Sequence, residues 1–529
     1  MIRINDISLP LDYNEITLKK AAAQKLHIGV SEIKYISLYK RSVDARKKSS
    51  VHFQATIDVK LNDKEKYIAE KVRSASVVEE YRYDIPPSKP LEQRPVVVGS
   101  GPCGLFAALI LAQAGQCPIL IERGRDVDSR TDDVNKFWNS GMLDTVSNVQ
   151  FGEGGAGTFS DGKLTTGTKD SHTRKVLNEF VKNGAPDEIL YLAKPHIGTD
   201  KLKNTVKNIR KQIITLGGEV FFETKLIGFK TDNNSVTAVE VEHNGSKSTI
   251  SSNNVILAIG HSARDTFKML RDSGIKMEQK AFSIGARIEH LQENINKQQY
   301  GQFWNSPYLS AADYKLAVHL KNGRGVYTFC MCPGGSVVAA ASEEGHLVTN
   351  GMSEFARDKV NANSALLVGV NPDDFGSDDV LAGVEFQRLL ERKAFLLGGE
   401  NYKAPVQRIC DFMNKQKSTS VGSVLPSYRP GYELTKLDLC LPEYITDSMR
   451  EAIRLMDKRL CGFADGDAIL TAVESRSSSP VRMLRDEHMQ SVSLKGLYPC
   501  GEGAGFAGGI ISAAVDGIKA AEMILKSSL

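Results

Sequence analysis

The clearest signal of chemistry in this sequence is a set of three glycines with G-x-G-x-x-G spacing. Gly99, Gly101 and Gly104 stand between two apolar runs, residues 96–98 and 105–113. This order predicts a buried strand, a tight turn and a helix, the arrangement that binds dinucleotides. Gly99 would make the turn, Gly101 would let the backbone approach a pyrophosphate, and Gly104 would let helix and strand pack closely. The N-terminus of the helix would offer free N–H groups to the phosphates.

An acidic residue ends the next predicted strand. Residues 117–122 are largely apolar and end at Glu122, eighteen residues after Gly104. In dinucleotide-binding folds, a carboxylate about 20 residues beyond the glycines holds the ribose hydroxyls. The alternative is a surface glutamate at the end of an ordinary strand. The consecutive order of strand, glycines, helix, strand and acid favours the ribose-binding interpretation.

A second glycine-rich segment covers residues 151–164 and contains five glycines. So many glycines exclude an α-helix or a central strand, because glycine loses the most conformational freedom on ordering. The segment is therefore either a flexible linker or a loop that approaches a ligand with bare backbone. Phe151, Phe159 and Leu164 would anchor it, which favours the ligand-binding loop. The polar side chains nearest such a ligand are Ser160, Asp161 and Lys163.

Length and composition indicate a globular protein of more than one domain. The chain has 529 residues, of which 41% are hydrophobic and 25% charged, and this length is too great for a single core. No apolar run reaches the ~18 residues of a membrane span. Charged residues interrupt the N-terminus too early for a signal peptide. We therefore expect no membrane span and a cytoplasmic location.

The eight cysteines are scattered, and no two of them form a C-x-x-C pair. Such usage indicates reduced thiols rather than a disulfide framework. Cys330 and Cys332 are spaced too closely for a zinc knuckle, and no metal site is predicted. We interpret these two residues as structural cysteines, with redox chemistry as the alternative.

Residues 1–90 carry the basic excess of the chain. They contain 17 Lys and Arg against 12 Asp and Glu, whereas the remainder has 50 against 51. Their hydrophobic periods predict a small domain of β-α-β-β-α order, followed by a proline-rich linker over residues 85–90. The charge is concentrated in a predicted hairpin turn around Lys40, Arg41 and residues 46–48. The favoured interpretation is a hairpin tip that is exposed to solvent. The alternative is that the basic turn binds an RNA by neutralising its phosphates.

Three later segments complete the pattern of a nucleotide-binding fold. Residues 254–262 predict an apolar strand that ends in glycine, residues 496–503 a strand that ends in Gly-Glu, and residues 510–526 a helix that follows two glycines. Residues 282–480 lack a second fingerprint, and we interpret them as a substrate or cap region. Its candidate pocket residues, each of a type found more often in structural positions, are Arg287, Glu289, His290, Arg324, Glu474, Arg476 and Arg482.

Four motifs resemble one family. The strings are Gly-Glu-Gly-Gly-Ala-Gly-Thr-Phe-Ser-Asp-Gly-Lys-Leu from residue 152, Ala-Ile-Gly-His-Ser-Ala-Arg-Asp-Thr-Phe from residue 258, Pro-Cys-Gly-Glu-Gly-Ala-Gly-Phe-Ala-Gly-Gly-Ile from residue 499, and Lys-Arg-Ser-Val-Asp-Ala-Arg-Lys from residue 40. They are similar to the uncharacterised FAD-dependent dehydrogenase family. This resemblance runs through nearly the whole chain and implies FAD and a glutathione-reductase-like FAD fold. It implies no particular substrate.

The expected fold class is α/β, with a Rossmann-like FAD-binding domain, an inserted α+β substrate or cap domain, and a small N-terminal α+β domain. The N-terminal domain would cover residues 1–90. The FAD-binding domain would consist of residues 91–281 and 486–529, and the substrate domain of residues 282–485.

The motifs and the resemblance together predict the residues of the site. The cofactor-binding residues are Gly99, Gly101, Pro102, Cys103, Gly104, Glu122, Arg123, Gly154, Gly155, Gly157, Thr158, Ser160, Asp161, Gly162, Lys163, Leu226, Ala258, Gly260, Gly501, Glu502, Gly508, Gly509 and Ile510. Lys163 is also a catalytic candidate, because a cation beside a flavin would stabilise the negative charge that develops on reduction. His261 is the second catalytic candidate, although a histidine after a strand-end glycine often satisfies backbone groups instead.

The expected function is that of an FAD-dependent, dehydrogenase-like oxidoreductase that passes hydride or electrons between flavin and an unidentified small-molecule substrate. Since no second fingerprint is visible, NAD(P)H would dock only transiently. One alternative is a flavoprotein that modifies tRNA, because residues 501–509 also resemble such an enzyme. The net charge of −1 beyond residue 90 is low for a protein that grips a polyanion. The other alternative is a non-catalytic FAD-binding module.

Overall fold

The computed structural model describes residues 1–167 and 169–529. The protein is a mixed α/β structure that contains both parallel and antiparallel sheets. Among the described residues, no helix combines the length and the apolarity that crossing a bilayer requires.

The N-terminal unit is a four-stranded antiparallel sheet with two helices. In chain order its elements are β1 (Ile2–Leu9), α1 (Glu15–Leu26), β2 (Ile33–Asp44), β3 (His52–Leu61), α2 (Glu65–Lys71) and β4 (Ala75–Val77). The strands pair in the order β2-β3-β1-β4, and their alternate apolar residues, such as Ile2, Ile4 and Ile57, are fully buried. The predicted β-α-β-β-α order is correct up to α2 but omits β4. That strand is three residues long, too short to show an alternating pattern.

Arg41 does not belong to the hairpin turn that the sequence predicted for it. Strand β2 continues past Lys40 and Arg41, so that the turn is confined to residues 45–51. The backbone N–H of Arg41 donates to the carbonyl of Tyr191 at 2.6 Å. Its guanidinium lies 4.6 Å from the ring centroid of Phe53. Arg41 therefore attaches the N-terminal unit to the rest of the protein, and the basic tip is smaller than expected.

The next unit begins with the strands and helices around the glycine turn. These elements are β5 (Val96–Val98), α3 (Pro102–Gln113), β6 (Ile119–Ile121), α4 (Val127–Ser140), α5 (His172–Lys182), α6 (Thr199–Thr215) and β7 (Glu219–Phe221). All residues of β5 and β6 are buried, as is usual for strands of a parallel sheet that is covered on both faces. The predicted strand-turn-helix-strand unit is confirmed, with shorter strands than the apolar runs suggested.

A three-stranded antiparallel meander follows the first part of the parallel sheet. Its strands are β8 (Thr224–Asp232), β9 (Ser235–His243) and β10 (Ser246–Ser251), after which come β11 (Val255–Leu257) and α7 (Arg264–Asp272). Asn233 and Asn234 have φ angles of 47° and 59°, and Asn244 and Gly245 have φ angles of 49° and 76°. Two successive left-handed residues match the twist of the flanking strands. The predicted Asn-Asn and Asn-Gly turns are therefore confirmed.

A large, mainly antiparallel region occupies the middle of the chain. Its elements are β12 (Met277–Gln279), β13 (Phe282–Leu291), α8 (Gln292–Tyr300), β14 (Ala317–His319), β15 (Gly325–Cys332), β16 (Ser336–Ala339), β17 (Thr349–Met352), β18 (Asn361–Val370), α9 (Ala382–Leu397), β19 (Ala404–Arg408), α10 (Ile409–Met413), β20 (Tyr432–Leu434), α11 (Glu443–Asp457) and β21 (Ile469–Glu474). Seven of these strands form one sheet in the order β14-β15-β18-β13-β21-β19-β20, with one parallel pair, between β19 and β20. Strand β13 is buried along nearly its whole length, so it forms the centre of this core.

The last segment returns to the parallel sheet. Its elements are β22 (Val481–Met483), β23 (Leu497–Pro499) and α12 (Ile510–Ser527). Strand β23 pairs in parallel with β11, which pairs with β5, and the sheet order is β23-β11-β5-β6-β7. Helix α12 packs directly on α3, since a Cβ on Gly517 would lie 2.0 Å from the carbonyl oxygen of Cys103. The two helices thus begin side by side at the same edge of the sheet.

Candidate functional site

A large cavity lies at the carboxyl edge of the parallel sheet, where such sheets bind ligands. Residues that follow β5, β6 and β11 form one side, and β15, β17 and the segment after β21 form the opposite wall. The empty volume is about 1680 Å³ with the open mouth included. The lining comes from both walls, so a ligand bound in this cavity would contact the parallel sheet on one side and the antiparallel region on the other.

The glycine turn packs too closely for side chains. Gly99 has a φ angle of 99°, and a Cβ there would lie 2.4 Å from the carbonyl oxygen of Ala258. A Cβ on Gly104 would lie 1.8 Å from the carbonyl oxygen of Gly99. Gly101 faces the second glycine-rich loop, where a Cβ would lie 3.8 Å from Cα of Gly155. The distances agree with the tight turn predicted at Gly99 and the close packing predicted at Gly104, whereas the approach of a pyrophosphate to Gly101 stays a prediction.

Two long helices begin at the cavity wall. Pro102 and Ile510, the first residues of α3 and α12, both line it, and neither helix has a side-chain hydrogen bond at its N-cap. The first N–H groups of a helix lack partners within the helix and carry partial positive charge. Two such helix N-termini at one cavity are suited to a ligand with two separated electron-rich groups.

Glu122 lines the cavity, but its carboxylate already binds three loops together. Oε2 accepts hydrogen bonds from the N–H and the hydroxyl of Ser100, both at 2.8 Å. Oε1 accepts from the N–H groups of Gly124, at 2.9 Å, and Gly152, at 3.1 Å. A carboxylate has about four acceptor positions, so all of them are in use. Glu122 therefore positions the two glycine-rich loops relative to each other, a role that the sequence did not indicate.

Arg130 is a second positioning residue, and the sequence analysis missed it. Its fully buried guanidinium donates to the carbonyl oxygens of Asn148 at 2.8 Å, Val149 at 2.9 Å and Gly155 at 3.0 Å. Burial lowers the pKa of Arg130 to about 10, so the side chain stays charged at neutral pH. The sequence signal was weak, because the sequence alone does not distinguish an arginine on the buried side of a polar helix from one on the exposed side.

His261 and Glu502 line the middle of the cavity. Nδ1 of His261 lies 3.4 Å from Oε1 of Glu502. Nε2 of His261 has no hydrogen-bond partner, although the residue is only 9% exposed. A buried ring nitrogen without a partner costs free energy in the folded state. This atom is therefore available to a polar group of a ligand.

Lys163 lines the cavity, and its ammonium is a hydrogen-bond donor without an acceptor in the protein. Its ammonium lies 3.3 Å from Oδ2 of Asp161 but makes no hydrogen bond, although it is shielded from solvent. Asp161 is held by Arg357, whose Nε donates at 2.9 Å. Burial acts to raise the pKa of the Asp161 carboxyl, but Lys163 and Arg357 outweigh burial and keep the pKa below its ordinary value. The carboxylate therefore stays charged and fixes the position of Lys163.

His196 lies behind this cluster and should make the protein sensitive to acid. Burial, together with the charge of Arg357, lowers its pKa to about 4, while Asp161 opposes the shift. An unfolded histidine has a pKa of ~6.5, so the neutral ring stabilises the folded state above pH ~6.5, and this stabilisation is lost as the pH falls towards 4. We expect a loss of up to about 3 kcal/mol from this residue. Urea unfolding gives the free energy of unfolding at pH 7.5 and at pH 4.5. The difference between these two free energies should be smaller by about 2–3 kcal/mol in His196→Gln than in the wild type. If the difference is the same in both proteins, His196 does not cause the sensitivity to acid.

Two buried ion-pair groups form the back of the opposite wall. Nε of Arg287 donates to Glu474 at 2.7 Å. Arg476 and Arg264 both donate to the carboxylate of Glu391, at 2.8 and 2.7 Å. All five residues are at most 7% exposed. Since these charges are satisfied within the protein, Glu474 and Arg476 shape the cavity wall more than they offer free charge to a ligand.

Most of the predicted site residues line this one cavity. They are Gly99, Gly101, Pro102, Cys103, Glu122, Arg123, Gly155, Gly157, Ser160, Asp161, Lys163, Leu226, Ala258, Gly260, His261, Glu502, Gly508, Gly509 and Ile510. Residues from six separate stretches of the chain are thus brought together.

Five predicted residues do not line the cavity, namely Gly104, Gly154, Thr158, Gly162 and Gly501. They support the residues that do. Gly104 packs on Gly99, and the N–H of Gly154 donates to the carbonyl of Ser100 at 2.9 Å. The N–H of Gly501 donates to Asp516 at 2.7 Å. The motif pattern marks all residues of a loop alike, whereas only some of them face the open space.

The opposite wall is the part that the sequence did not reveal. Of the seven candidates in residues 282–485, Glu474 and Arg476 line the cavity, whereas Arg287, Glu289, His290, Arg324 and Arg482 do not. The lining residues that were missed there include Phe329, Cys330, Cys332, Val348, Thr349, Asn350, Gly351 and Ser477. They belong to antiparallel strands whose packing against the parallel sheet has no local sequence signal.

Comparison with protein families identifies two segments. Residues 281–477 match a family described as "FAD-dependent protein, C-terminal domain-like". Residues 1–60 match a family described as "Domain of unknown function (DUF8436)". The first match covers most of the antiparallel region, including β15, β17 and β21, which form the wall opposite the glycine turn. FAD is therefore the cofactor of this protein, in agreement with the prediction.

Several solved structures are distantly similar. The flavin-dependent brominase Bmp2 is 12% identical over 82% of this chain and 79% of its own, with a TM-score of 0.38. A geranylgeranyl bacteriochlorophyll reductase-like protein from Thermoplasma acidophilum is 13% identical over 82% and 79%, with a TM-score of 0.37. L-Amino acid deaminase from Proteus myxofaciens is 12% identical over 85% and 93%, with a TM-score of 0.36. These TM-scores are too low to establish a common fold.

A relative from Clostridium beijerinckii, described as "Uncharacterized protein", is 52% identical over 530 residues, which cover 99% of this chain and 98% of the relative. Identity at this level along nearly the full length of both chains shows common descent. The protein belongs to one family with the Clostridium beijerinckii protein, and it is an FAD-dependent flavoprotein.

Proposed function

We propose that the protein is an FAD-dependent oxidoreductase and that the cavity at the carboxyl edge of the parallel sheet holds both the cofactor and the substrate. The observation that carries this proposal is that α3 and α12 begin without side-chain caps in one cavity. The N-terminus of α3 at Pro102 would hold the pyrophosphate. The N-terminus of α12 at Ile510 would face the ring carbonyl where negative charge develops on reduction.

The remaining cofactor contacts follow from the lining of the cavity. Leu226 and Ile259 supply apolar surface beside Glu122 and Arg123, which suits the adenosine portion. Glu122 could bind the ribose only by exchanging one of its internal hydrogen bonds. Nε2 of His261, which has no protein partner, would serve a polar group between the two ends. The residues present therefore fit a long ligand that is anionic in its middle.

Bound FAD supplies two-electron redox chemistry, which in this proposal passes hydride or electrons to or from an unidentified small-molecule substrate. The chain's residues orient the reactants and control charge. Lys163, held by Asp161, places a positive charge in the cavity wall. Residues of strands β15 and β17 line the same cavity opposite the glycine turn.

We extend the proposal to the layout of the chain. The FAD-binding domain would have the glutathione-reductase-like subtype and consist of residues 91–281 and 486–529. Residues 282–485 would form the substrate domain, and residues 1–90 the small N-terminal domain. The return of β23 to the sheet that β5 begins supports the two-part FAD-binding domain.

Anaerobic mixing tests the proposal directly. The purified protein is saturated with FAD, mixed with NADPH, NADH or candidate organic donors, and followed through the flavin absorbance bands. Bleaching by NAD(P)H would indicate transient docking of the nicotinamide, and bleaching by an organic donor alone would identify a dehydrogenase substrate. A flavin that stays oxidised with every donor would support a non-catalytic FAD-binding module. A protein that takes up no FAD would overturn the proposed site.

Removal of the Lys163 charge should make the bound cofactor harder to reduce. We expect Lys163→Met to lower the two-electron midpoint potential by about 30–60 mV, which corresponds to about 1.4–2.8 kcal/mol. The reason is the loss of a cation near the negative charge that forms on reduction. Lys194→Met is the matched control, because Lys194 is largely exposed and pairs with Asp313. Equal potentials in the wild type and both variants would show that Lys163 does not face the flavin.

A further inference from the structure

Besides Cys103 in the glycine turn, two cysteines lie in the cavity wall, and the proposed function does not use them. Cys330 and Cys332 stand at the end of β15, opposite the glycine turn, and both line the cavity. Cys330 is exposed, whereas Cys332 is buried. Cys330 is therefore the thiol that a reactant in the cavity can reach, and Cys332 lies next to it in the manner of a resolving cysteine.

A β-bulge directs both thiols to the same side. Phe329 lies opposite Ala365 on β18, but Cys332 lies opposite Asn363, so that β15 contains one extra residue between them. Cys330 lies in this interval with a φ angle of 42°. An extra residue shifts the alternation of side chains by one position.

The effect of the bulge is visible in the packing. Before it, Val326 belongs to the large hydrophobic core, and after it Met331 belongs to the same core. A regular strand would place residues 326 and 331 on opposite faces, because side chains alternate with a period of two. With the bulge, Met331 enters the core, and Phe329, Cys330 and Cys332 face the cavity. The strand thus departs from regular geometry at the position that exposes the first thiol.

Hydrogen bonds hold the two cysteines together. The thiol of Cys332 donates to the carbonyl oxygen of Cys330, with a distance of 3.2 Å from Sγ to O. Nη1 of Arg287 donates to the same carbonyl at 2.9 Å. Arg287 is fully buried and is itself fixed by Glu474. The backbone that joins the two thiols is therefore held in place from behind.

Desolvation of the two sulfurs keeps both groups in the thiol form at rest. Cys330 can be reached from the cavity, but the protein around its sulfur displaces water, and this desolvation raises the pKa of Cys330 to about 12. Desolvation also raises the pKa of Cys332, while Lys163 and Arg287 act in the opposite direction on both thiols. Glu474 faces Cys330, and Asp161 and Arg357 face Cys332. At neutral pH the pair is accordingly a protonated dithiol.

We propose that Cys330 and Cys332 form a second two-electron redox centre that exchanges electrons with the flavin; this inference rests on the proposed placement of FAD in the cavity. In the forward direction two S–H bonds break and one S–S bond forms. The electron pair and one proton pass to oxidised FAD, which becomes its reduced anion, and the second proton goes to solvent. In the reverse direction the disulfide takes the electron pair back. The centre would store electrons between the substrate and a second reactant.

An anaerobic reductive titration tests the proposal with FAD and dithionite alone. The FAD-loaded protein is oxidised with ferricyanide, freed of the oxidant, and titrated while the flavin absorbance is recorded. The wild type should take up four electrons per FAD, and Cys330→Ser and Cys332→Ser should each take up two. Cys461→Ser is the matched control, because Cys461 is exposed and lies outside the cavity lining, and it should take up four electrons.

Thiol counting gives a readout independent of the flavin. The chain has eight cysteines, so the denatured protein should show eight free thiols after reduction and six after oxidation. Peptide mapping should place the two missing thiols at Cys330 and Cys332. The rate of oxidation by the flavin should rise about tenfold per pH unit between pH 7 and 10, because the reactive thiolate becomes more abundant.

The possible failures are distinguishable. A protein that binds no FAD contradicts the proposed function, and its absorbance shows this before any titration. A protein that binds FAD but takes up two electrons in the wild type and in both serine variants retains the proposed function and overturns the dithiol centre. A disulfide mapped to any other pair of cysteines also overturns it.

Discussion

Glu391→Ala should destabilise the protein by about 3–5 kcal/mol, because it removes the carboxylate from a buried cluster of charges. Glu391 is fully buried on α9 and accepts hydrogen bonds from Arg264, Ser475 and Arg476. Burial acts to raise the pKa of Glu391, but Arg264 and Arg476 outweigh burial and hold the pKa well below its usual range. Without the carboxylate, two buried guanidinium groups lose their main partner. Such unpaired charges cost far more than the original pair contributes.

Urea unfolding measures this loss as a lower midpoint with an unchanged slope. Glu385→Ala is the matched control on the same helix. Glu385 pairs with Arg388, and its side chain is 64% exposed, so we expect a change of only about 0–1 kcal/mol. Glu391→Gln, which keeps hydrogen-bond acceptance without the charge, should fall between the two. Similar stabilities of Glu391→Ala and Glu385→Ala would mean that the buried cluster does not hold α9 in place.

Gly104→Ala should weaken FAD binding at least about 100-fold, or roughly 3 kcal/mol. A Cβ at this position would lie 1.8 Å from the carbonyl oxygen of Gly99 and 3.0 Å from its carbonyl carbon. Both are backbone atoms, so the added methyl group can be accommodated only if the turn moves. The N–H of Gly99 donates to Ile121 on the neighbouring strand at 2.8 Å. A shift of the turn would therefore displace the start of α3, where the pyrophosphate is proposed to bind.

Gly115→Ala separates this effect from the general cost of replacing a glycine. Gly115 follows the other end of α3, has a φ angle of 75°, and has open space where a Cβ would lie. We expect about 1 kcal/mol of destabilisation from the left-handed backbone and no change in FAD affinity. Fluorescence titration of each apoprotein with FAD gives the dissociation constants. Wild-type affinity in Gly104→Ala would contradict the proposed role of the turn.

The parts of the fold that could be predicted are those with a local physical cause. The strand-turn-helix unit at Gly99 follows from three consecutive valines and three glycines, which no other structure accommodates easily. The hairpin at Asn233 and Asn234 follows from the tolerance of asparagine for positive φ. The same holds for α12, whose apolar residues recur with the helical period. In each case the signal lies within about 20 residues of chain.

The parts that could not be predicted depend on contacts between distant segments. The hydrogen bonds of Glu122 to Gly152, and of Arg130 to the loop around Gly155, join residues more than 20 positions apart. The bulge at Cys330 arises in the pairing of β15 with β18. A strand pattern gives the period of the side chains but not the position at which an extra residue is inserted. The antiparallel wall of the cavity could therefore not be predicted from the sequence, whereas the glycine turn opposite it could.

The side-by-side start of α3 and α12 has a consequence for the synthesis of the protein. The two helices lie next to each other in the cavity wall, yet Gly104 and Ile510 are 406 positions apart in the chain (510 − 104). At about 5–20 residues per second, the ribosome needs roughly 20–80 s to progress from the first to the second. During that time the cavity has the N-terminus of α3 but not yet that of α12. Cofactor capture should therefore follow translation, and a nascent chain stalled before β23 should remain free of FAD.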